Sequence, residues 1–345
     1  MKSLNIVIGC ALFLLVSCNK VEEQSVLLGN TDGEISLMTV FESCEVTPLQ
    51  EHANCLLGDV SRIKYDGNRY FMLDTERQRI VSYGENGTYL HSYQRTGKGK
   101  DEYLHISDFD VDGEFIYILA FPYKIYKLDK DLTLSEIITL GDSYCNICCQ
   151  EGKIYLYSDH NNQVCSLTSE GTQKVLHEGR VLRACPKSNL PAFHKMDNRL
   201  FFVADGGDVI YQIIGDALTP WLKIDYKNKE NVLKRYSQEN ILSFKERLEY
   251  SHPAIHSIMR LKDTILLLYV YGHVYRLAKL DLSNRLISDG VVIGSPLPMS
   301  QSSNRILSVS YCDDETLNSL GLKKNSGYDA RIPEAGCMTV IKYYE

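Results

Sequence analysis

Five stretches of the chain repeat one order of apolar and polar positions. They are Tyr70–Tyr83 (YFMLDTERQRIVSY), Ile116–Asp129 (IYILAFPYKIYKLD), Ile154–Leu167 (IYLYSDHNNQVCSL), Leu200–Ile213 (LFFVADGGDVIYQI) and Ile265–Ala278 (ILLLYVYGHVYRLA). They align without gaps. Each is a short apolar run, a polar turn and a second segment with alternation, the signature of a β-hairpin. Their starts lie 46, 38, 46 and 65 residues apart. Further strand-like segments flank them: Ile106–Val111 and Leu134–Leu140 around the second, Tyr144–Cys149 before the third, Phe193–Met196 before the fourth, and Ile255–Leu261 before the fifth. Asp112-Gly113, Glu151-Gly152 and Asp197-Asn198 supply the turns, because Gly and Asn accept positive φ. Four strands in about 40–45 residues is the period of a propeller blade.

A sixth unit is less regular. Arg305–Tyr311 and Cys337–Tyr344 read as strands, and Asp313–Lys323 between them reads as a helix capped by Asp313 or Asp314. Cys44–Leu49, near the N-terminus, is the natural fourth strand of that blade. Joining the two ends of the chain in one blade closes the ring and removes its free edges. The expected fold is therefore all-β, a six-bladed β-propeller over residues 35–345. An open sandwich, or a seven-bladed ring that uses Ile35–Phe41, is the alternative. Tyr226–Tyr250 breaks the β pattern: Leu233, Tyr236, Phe244 and Leu248 fall at helical spacings. A short helical insertion (226–250) is expected between blades four and five. It either covers strand ends or carries function, as loops on a rigid scaffold do.

The N-terminus follows another logic. Lys2 precedes an almost wholly apolar run, Leu4–Val16. At about 1.5 Å per residue this run is too short for a bilayer core of about 30 Å, and it reads as the core of a signal peptide. It ends in Leu15-Val16-Ser17-Cys18, which resembles the lipobox of bacterial lipoproteins. That resemblance implies cleavage after residue 17, lipidation of Cys18, and a membrane anchor through it. Residues 18–34 then form a tether. Asn19-Lys20-Val21-Glu22-Glu23-Gln24 resembles the surface-export signal of some Gram-negative lipoproteins, and equally a solvated linker.

Composition narrows the partners. The chain has 345 residues, 37 Lys+Arg against 44 Asp+Glu, and a net charge of −7. Losing residues 1–17 removes only Lys2 and leaves −8. An acidic chain without a basic surplus is not expected to bind nucleic acid. Of eleven cysteines, Cys10 leaves with the signal and Cys18 takes the lipid. The remaining nine cannot all pair within the chain and lack a disulfide scaffold's spacing, so free thiols are expected. Cys145-Asn146-Ile147-Cys148-Cys149 contains a CxxC, but no second pair accompanies it and no metal or cofactor is expected.

At this point the order Val46-Thr47-Pro48-Leu49, Cys55-Leu56-Leu57-Gly58, Ile63-Lys64-Tyr65, Leu73-Asp74 is similar to that of the six-bladed β-propeller lipoproteins of Gram-negative anaerobes. So is Gly97-Lys98-Gly99-Lys100-Asp101-Glu102-Tyr103 running into Ile106-Ser107-Asp108-Phe109. In that family the loop commonly reads Gly-x-Gly-Pro-Gly-Glu-Tyr; Lys100-Asp101 stand here in place of Pro-Gly. The resemblance covers roughly residues 35–345. It implies the fold and an envelope location, as an outer-membrane lipoprotein facing the periplasm or the cell surface, and adds little about activity.

Candidate ligand-binding residues come from loops. His252 and His256 precede the first strand of blade five, and His273 sits in its hairpin turn, with Tyr271 beside it. Arg95, Lys98 and Lys100 could meet an anionic group of a glycan. The Gly-rich stretch around them lacks the spacing of a phosphate loop. Asp74, Asp159 and Asp205 recur near the end of the hairpin's first strand, as turn-capping carboxylates do. No sialidase box, Trp-Asp dipeptide, Gly-x-Ser-x-Gly or His-Glu-x-x-His occurs. Catalytic residues are therefore not assigned. The expected function is a binding or scaffolding module for a glycan, peptide or partner envelope protein. The alternative is an envelope hydrolase, lyase or lactonase with its site at the channel mouth.

Overall fold

The computed structural model describes residues 24–51, 55–168, 173–178, 190–204, 207–226, 253–272, 274–293, 297, 300–302, 305–322 and 336–344. Six sheets, antiparallel apart from one added edge strand in each of two of them, follow one another around an axis. Blade one runs from its innermost strand Val60–Tyr65 through Arg69–Asp74 and Arg79–Gly84 to the outermost, Tyr89–Tyr93. The innermost strands of blades two to six are His105–Asp112, Asn146–Gln150, Phe193–Met196, Ala254–Leu261 and Ser300–Ser302. Blade six closes the ring: Ser43–Pro48 is its outermost strand, paired with Cys337–Tyr344 through Val46↔Ile341. The fold is thus the expected six-bladed propeller. Asp313 caps the short helix Asp314–Ser319 by accepting from the Thr316 N–H.

The apolar runs have a direct cause. Both faces of every blade are covered by the neighbouring blades, so successive residues of the second strand are all buried, alternately to the two sides. In blade one Phe71 and Leu73 enter the seam with blade two, while Tyr70 and Met72 enter the seam with blade six. In blade five Ile265, Leu267 and Tyr269 face blade four, and Leu266 and Leu268 face blade six. Six apolar clusters result, one in each seam, including the closing seam where Leu307, Val309 and Val340 meet Ile63 and Val81. The tyrosine excess is absorbed here: Tyr70, Tyr83, Tyr126, Tyr157, Tyr269 and Tyr343 are fully buried.

One expectation is corrected. Within the segment taken as a tether (18–34), Ser25–Leu28 lies parallel to Lys223–Tyr226 as a fifth strand on blade four. Glu34–Ser36 adds likewise to the edge of blade five, through Ile35↔Val292. Ile35–Phe41 therefore serves an existing edge and a four-residue helix, not a seventh blade. The reason is unpaired backbone: strands Ala217–Tyr226 and Leu286–Ile293 would otherwise leave their edges open. Residues 227–250, the expected helical insertion, lie outside the described residues.

Candidate functional site

The innermost strands carry polar residues at recurring positions. In blades one, two and five each of these strands has a bulge: between Val60 and Arg62, Ile106 and Asp108, and Ile255 and Ser257. The extra residue re-aims the side chains that come after it in the strand. Arg62 and Lys64 of blade one thereby meet Asp108 and Asp110 of blade two: Arg62 Nε is 3.5 Å from Asp108 Oδ1, and Lys64 Nζ is 3.0 Å from Asp110 Oδ1. The two carboxylates then tie blade two to blade three. Asp108 Oδ2 accepts from Asn146 Nδ2 at 3.1 Å and from the Ile147 N–H at 3.2 Å. Asp110 Oδ2 accepts from the Cys149 N–H at 2.8 Å. Lys195 of blade four reaches the same oxygen at 2.7 Å.

These contacts set the ionisation of the channel. Burial alone would raise the Asp110 carboxyl, but Lys195 and Lys64 more than reverse this and hold it below the usual carboxylate range. Lys195 is correspondingly raised: Asp110 outweighs the burial that would lower it. His194 is pushed down to about 3, by burial first and then by His256, Lys64 and Arg62. His256 is pushed down to about 4, by burial and by Arg62. Both imidazoles are therefore neutral at pH 7. His256 is the bulged residue of its strand; its Nδ1 lies 3.1 Å from Ser257 Oγ. His194 Nε2 is buried and has no hydrogen-bond partner among the described residues. The Cys148 and Cys149 thiols are raised by burial and by Asp110, so neither is an activated nucleophile.

A cleft opens at each end of this channel. At the end where the first two strands of each blade are joined, a cavity of about 940 Å³ has Arg62, Lys64, Asp110, His194, Lys195 and Ser257 at its floor. Gln150, Asn198, Gln301, Asp112 and Asp197 line it as well. At the opposite end a cavity of about 500 Å³ is bounded by Asp59, Arg62, Asn146, Asp159 and an aromatic wall. In that wall His105 stacks on Phe121 at 5.2 Å, and Tyr123 packs edge-on to Phe121 at 5.5 Å. Arg62 borders both cavities.

The residues expected from sequence fall in three places. His256 is in the channel wall. Tyr271 ends the second strand of blade five and lies against Gly29, where an added Cβ would sit 2.6 Å from the Tyr271 ring. His252, His273 and Asp205 lie outside the described residues. Arg95, Lys98 and Lys100 are exposed on the connection between blades one and two, remote in the chain from blade five. Arg95 and Lys100 border an open cleft of about 610 Å³ with Asp101 and Glu102. That connection is a joint: Glu102 accepts from the Gly99 N–H, and Tyr103 is wholly buried with its hydroxyl donating to Gln78 O. Asp74 caps its turn, accepting from the Arg77 N–H and pairing with Arg79 at 3.0 Å. Asp159 instead borders the smaller cavity.

The channel residues Arg62, Lys64, Asp108, Asp110, Asn146, His194 and Lys195 carry the strongest electrostatics yet were not among the sequence candidates. A signal was present. Extending the hairpin alignment backwards puts Arg62, Asp108 and Asn146 at one position and Lys64, Asp110, Cys148 and His194 two residues later. Polar residues there break an otherwise apolar alternation in several blades at once. Among the described residues no group of three or more His, Cys, Asp or Glu side chains is placed to hold a metal ion, and the eight described cysteines are free thiols.

The fold and this axis define a six-bladed β-propeller whose channel is laced by ion pairs between blades. Residues 23–287 match the family described as Domain of unknown function (DUF4934), and the chain belongs to that family. No curated protein matches the sequence. One similar solved structure is a protein of Bacteroides fragilis NCTC 9343 described as exported, at 13% identity over 92% of this chain and 98% of that one, with a TM-score of 0.68. A DUF4221 family member from Bacteroides vulgatus ATCC 8482 is similar at 11% identity, 88% and 97% coverage and a TM-score of 0.50. A catalytically inactive virginiamycin B lyase from Staphylococcus aureus, with quinupristin, is similar at 12% identity, 88% and 100% coverage and a TM-score of 0.50. At such identities the likeness is one of fold. No helix among the described residues is long and apolar enough to cross a membrane.

Proposed function

We propose that the protein is a lipid-anchored envelope propeller that binds a glycan, a peptide or a partner protein at its channel mouth. The observation that carries this reading is the 940 Å³ cleft with charged side chains converging on its floor inside a rigid ring. Binding is favoured over catalysis by the state of those groups. Asp110 is charged and each of its oxygens is already engaged, so it is a poor proton donor and a hindered base. His194 and His256 are far less basic than an imidazole poised near pH 7. The alternative reading, a hydrolase, lyase or lactonase, draws support from that pair of channel histidines alone.

The envelope location is supported by the signal-like run ending at Cys18 and by a similar fold in a protein described as exported. Two experiments test these readings. Metabolic labelling with a fatty-acid analogue should mark the wild-type chain, and Cys18→Ala should abolish the label and release the protein from the membrane fraction. A glycan and peptide array probed with the purified chain should return ligands whose binding is lost in a Lys64→Gln variant; turnover of a glycan or lactone library, abolished by His194→Phe, would instead establish the enzyme.

A further inference from the structure

One turn of blade five is apolar where its counterpart in blade two is polar. The turns between the third and fourth strands, Asp129–Thr133 in blade two and Asp281–Arg285 in blade five, are built alike. Asp129 Oδ1 accepts from the Asp131 and Thr133 N–H groups, and Asp281 Oδ1 from those of Ser283 and Arg285. Leu132 and Asn284 take nearly the same positive φ, 59° and 58°. A bulge follows each turn, at Ser135 in blade two and at Ile287 in blade five. The side chains differ. The second residue of the turn is Lys130 in blade two, held by Asp66 at 3.1 Å, and Leu282 in blade five, 50% exposed. The bulged residue is an exposed serine in blade two and an isoleucine, 57% exposed, in blade five. With Leu286, 39% exposed, blade five shows three large apolar side chains to water along Leu282–Ile287. Single exposed apolar residues are ordinary; a cluster of them on one turn marks a contact surface.

The place of this turn in the chain points to what covers it. Asn284 Nδ2 donates to Gln24 Oε1 at 2.9 Å, so the N-terminal segment enters the fold beside the turn. Cys18 precedes Gln24 by six residues, and six residues reach at most about 20 Å. An acyl group on Cys18 therefore holds the bilayer within that distance of Gln24. We propose that Leu282, Leu286 and Ile287 insert into the bilayer that holds the anchor, at the level of the lipid headgroups, so that the ring rests on the rim of blade five. This rests on reading Cys18 as lipidated. Withdrawing the three side chains from water favours the contact, and the anchor keeps the turn at high local concentration beside the membrane.

The test is tryptophan fluorescence of the full lipidated chain in phosphatidylcholine vesicles, made with and without lipids brominated on their acyl chains. Trp221 is the single native tryptophan, and the wild-type chain gives its baseline. Ile287→Trp should emit at shorter wavelength in vesicles than in detergent-free buffer, and should lose at least half of its added fluorescence to the brominated lipid. Ser135→Trp, at the equivalent bulge of blade two, should do neither. Equal quenching of the two variants, or no quenching of Ile287→Trp, would overturn the inference. So would a shift of Ile287→Trp that appears without vesicles and grows with protein concentration, which would assign the turn to contact with a second copy. If fatty-acid labelling marks Cys18 while Ile287→Trp stays unquenched, this inference fails and the lipid-anchored reading stands; if Cys18 carries no label and the chain stays out of the membrane fraction, both fail.

Discussion

Lys195 of blade four places its ammonium 2.7 Å from Asp110 of blade two, passing over blade three altogether. Only near the axis are alternate blades close enough for this, and the contact also brings Lys195 within 3.4 Å of Val111 O. The same carboxylate holds Lys64 of blade one and the backbone of blade three. Asp110 therefore joins four of the six blades at one point. Asp110→Asn should lower stability by about 3–5 kcal/mol, the range for removing one partner of a buried pair, since it leaves two ammonium groups facing each other. Urea unfolding monitored by Trp221 fluorescence measures this, and an Asp110→Asn, Lys195→Met double variant should recover part of the loss.

The channel histidines give stability a specific dependence on pH. In the unfolded chain an imidazole titrates near 6.5, whereas His194 in the folded protein is pushed down to about 3. Between those values the unfolded state binds a proton that the folded state refuses, so stability falls as pH is lowered from about 6.5. One such group contributes a slope of about 1.4 kcal/mol per pH unit. Unfolding free energy should be lower at pH 4.5 than at pH 7 by about 2–3 kcal/mol from His194 alone. Asp110 acts in a different window, because its lowered value makes its contribution disappear only below the ordinary carboxylate range. In His194→Phe the slope between pH 6.5 and 4.5 should flatten; an unchanged slope would show that His194 is solvated.

The strands were legible because every blade face is a seam. Continuous apolar runs such as Tyr70–Leu73 and Ile116–Leu119 arise only where both faces are covered, and they recur at the blade period. The site was far less legible. Lys64, Asp110 and His194 lie more than forty residues apart in sequence, and each alone is one polar residue in a strand. Their meaning comes from the curvature that brings innermost strands together at the axis, which no local pattern encodes. The parallel strand Ser25–Leu28 escaped for a related reason: four residues with two buried side chains carry too little periodicity to separate a strand from a linker.

That strand supplies a direct check on where the folded unit begins. Its side chains alternate: Val26 and Leu28 are buried in the seam between blades four and five, while Leu27 is 46% exposed. Leu28→Ala should destabilise the protein by about 2–5 kcal/mol, as deletion of a buried leucine does. Leu27→Ala, its neighbour of identical composition, should change stability by no more than about 0.5 kcal/mol. Equal effects, measured by urea denaturation of the two variants, would mean that residues 25–28 are a tether.

The same N-terminal segment is fastened to blade five by a buried hydroxyl. Tyr269 donates to Asp289 Oδ1 at 2.6 Å and accepts from Arg276 Nε at 3.1 Å and from the Gly29 N–H at 3.0 Å. The Gly29 N–H also reaches Asp289 Oδ2 at 2.9 Å, and Arg276 donates to Thr31 O. Burial and the adjoining Asp289 raise the Tyr269 hydroxyl further, so it remains a donor at any physiological pH. Tyr269→Phe removes that donor without opening a cavity, and should cost about 1–3 kcal/mol through the buried groups it leaves short of a partner. The loss should be local: amide exchange should quicken at residues 25–31 and along Leu286–Ile293 while blades one to three keep wild-type protection. Uniform acceleration in all six blades would show instead that this network supports the whole ring.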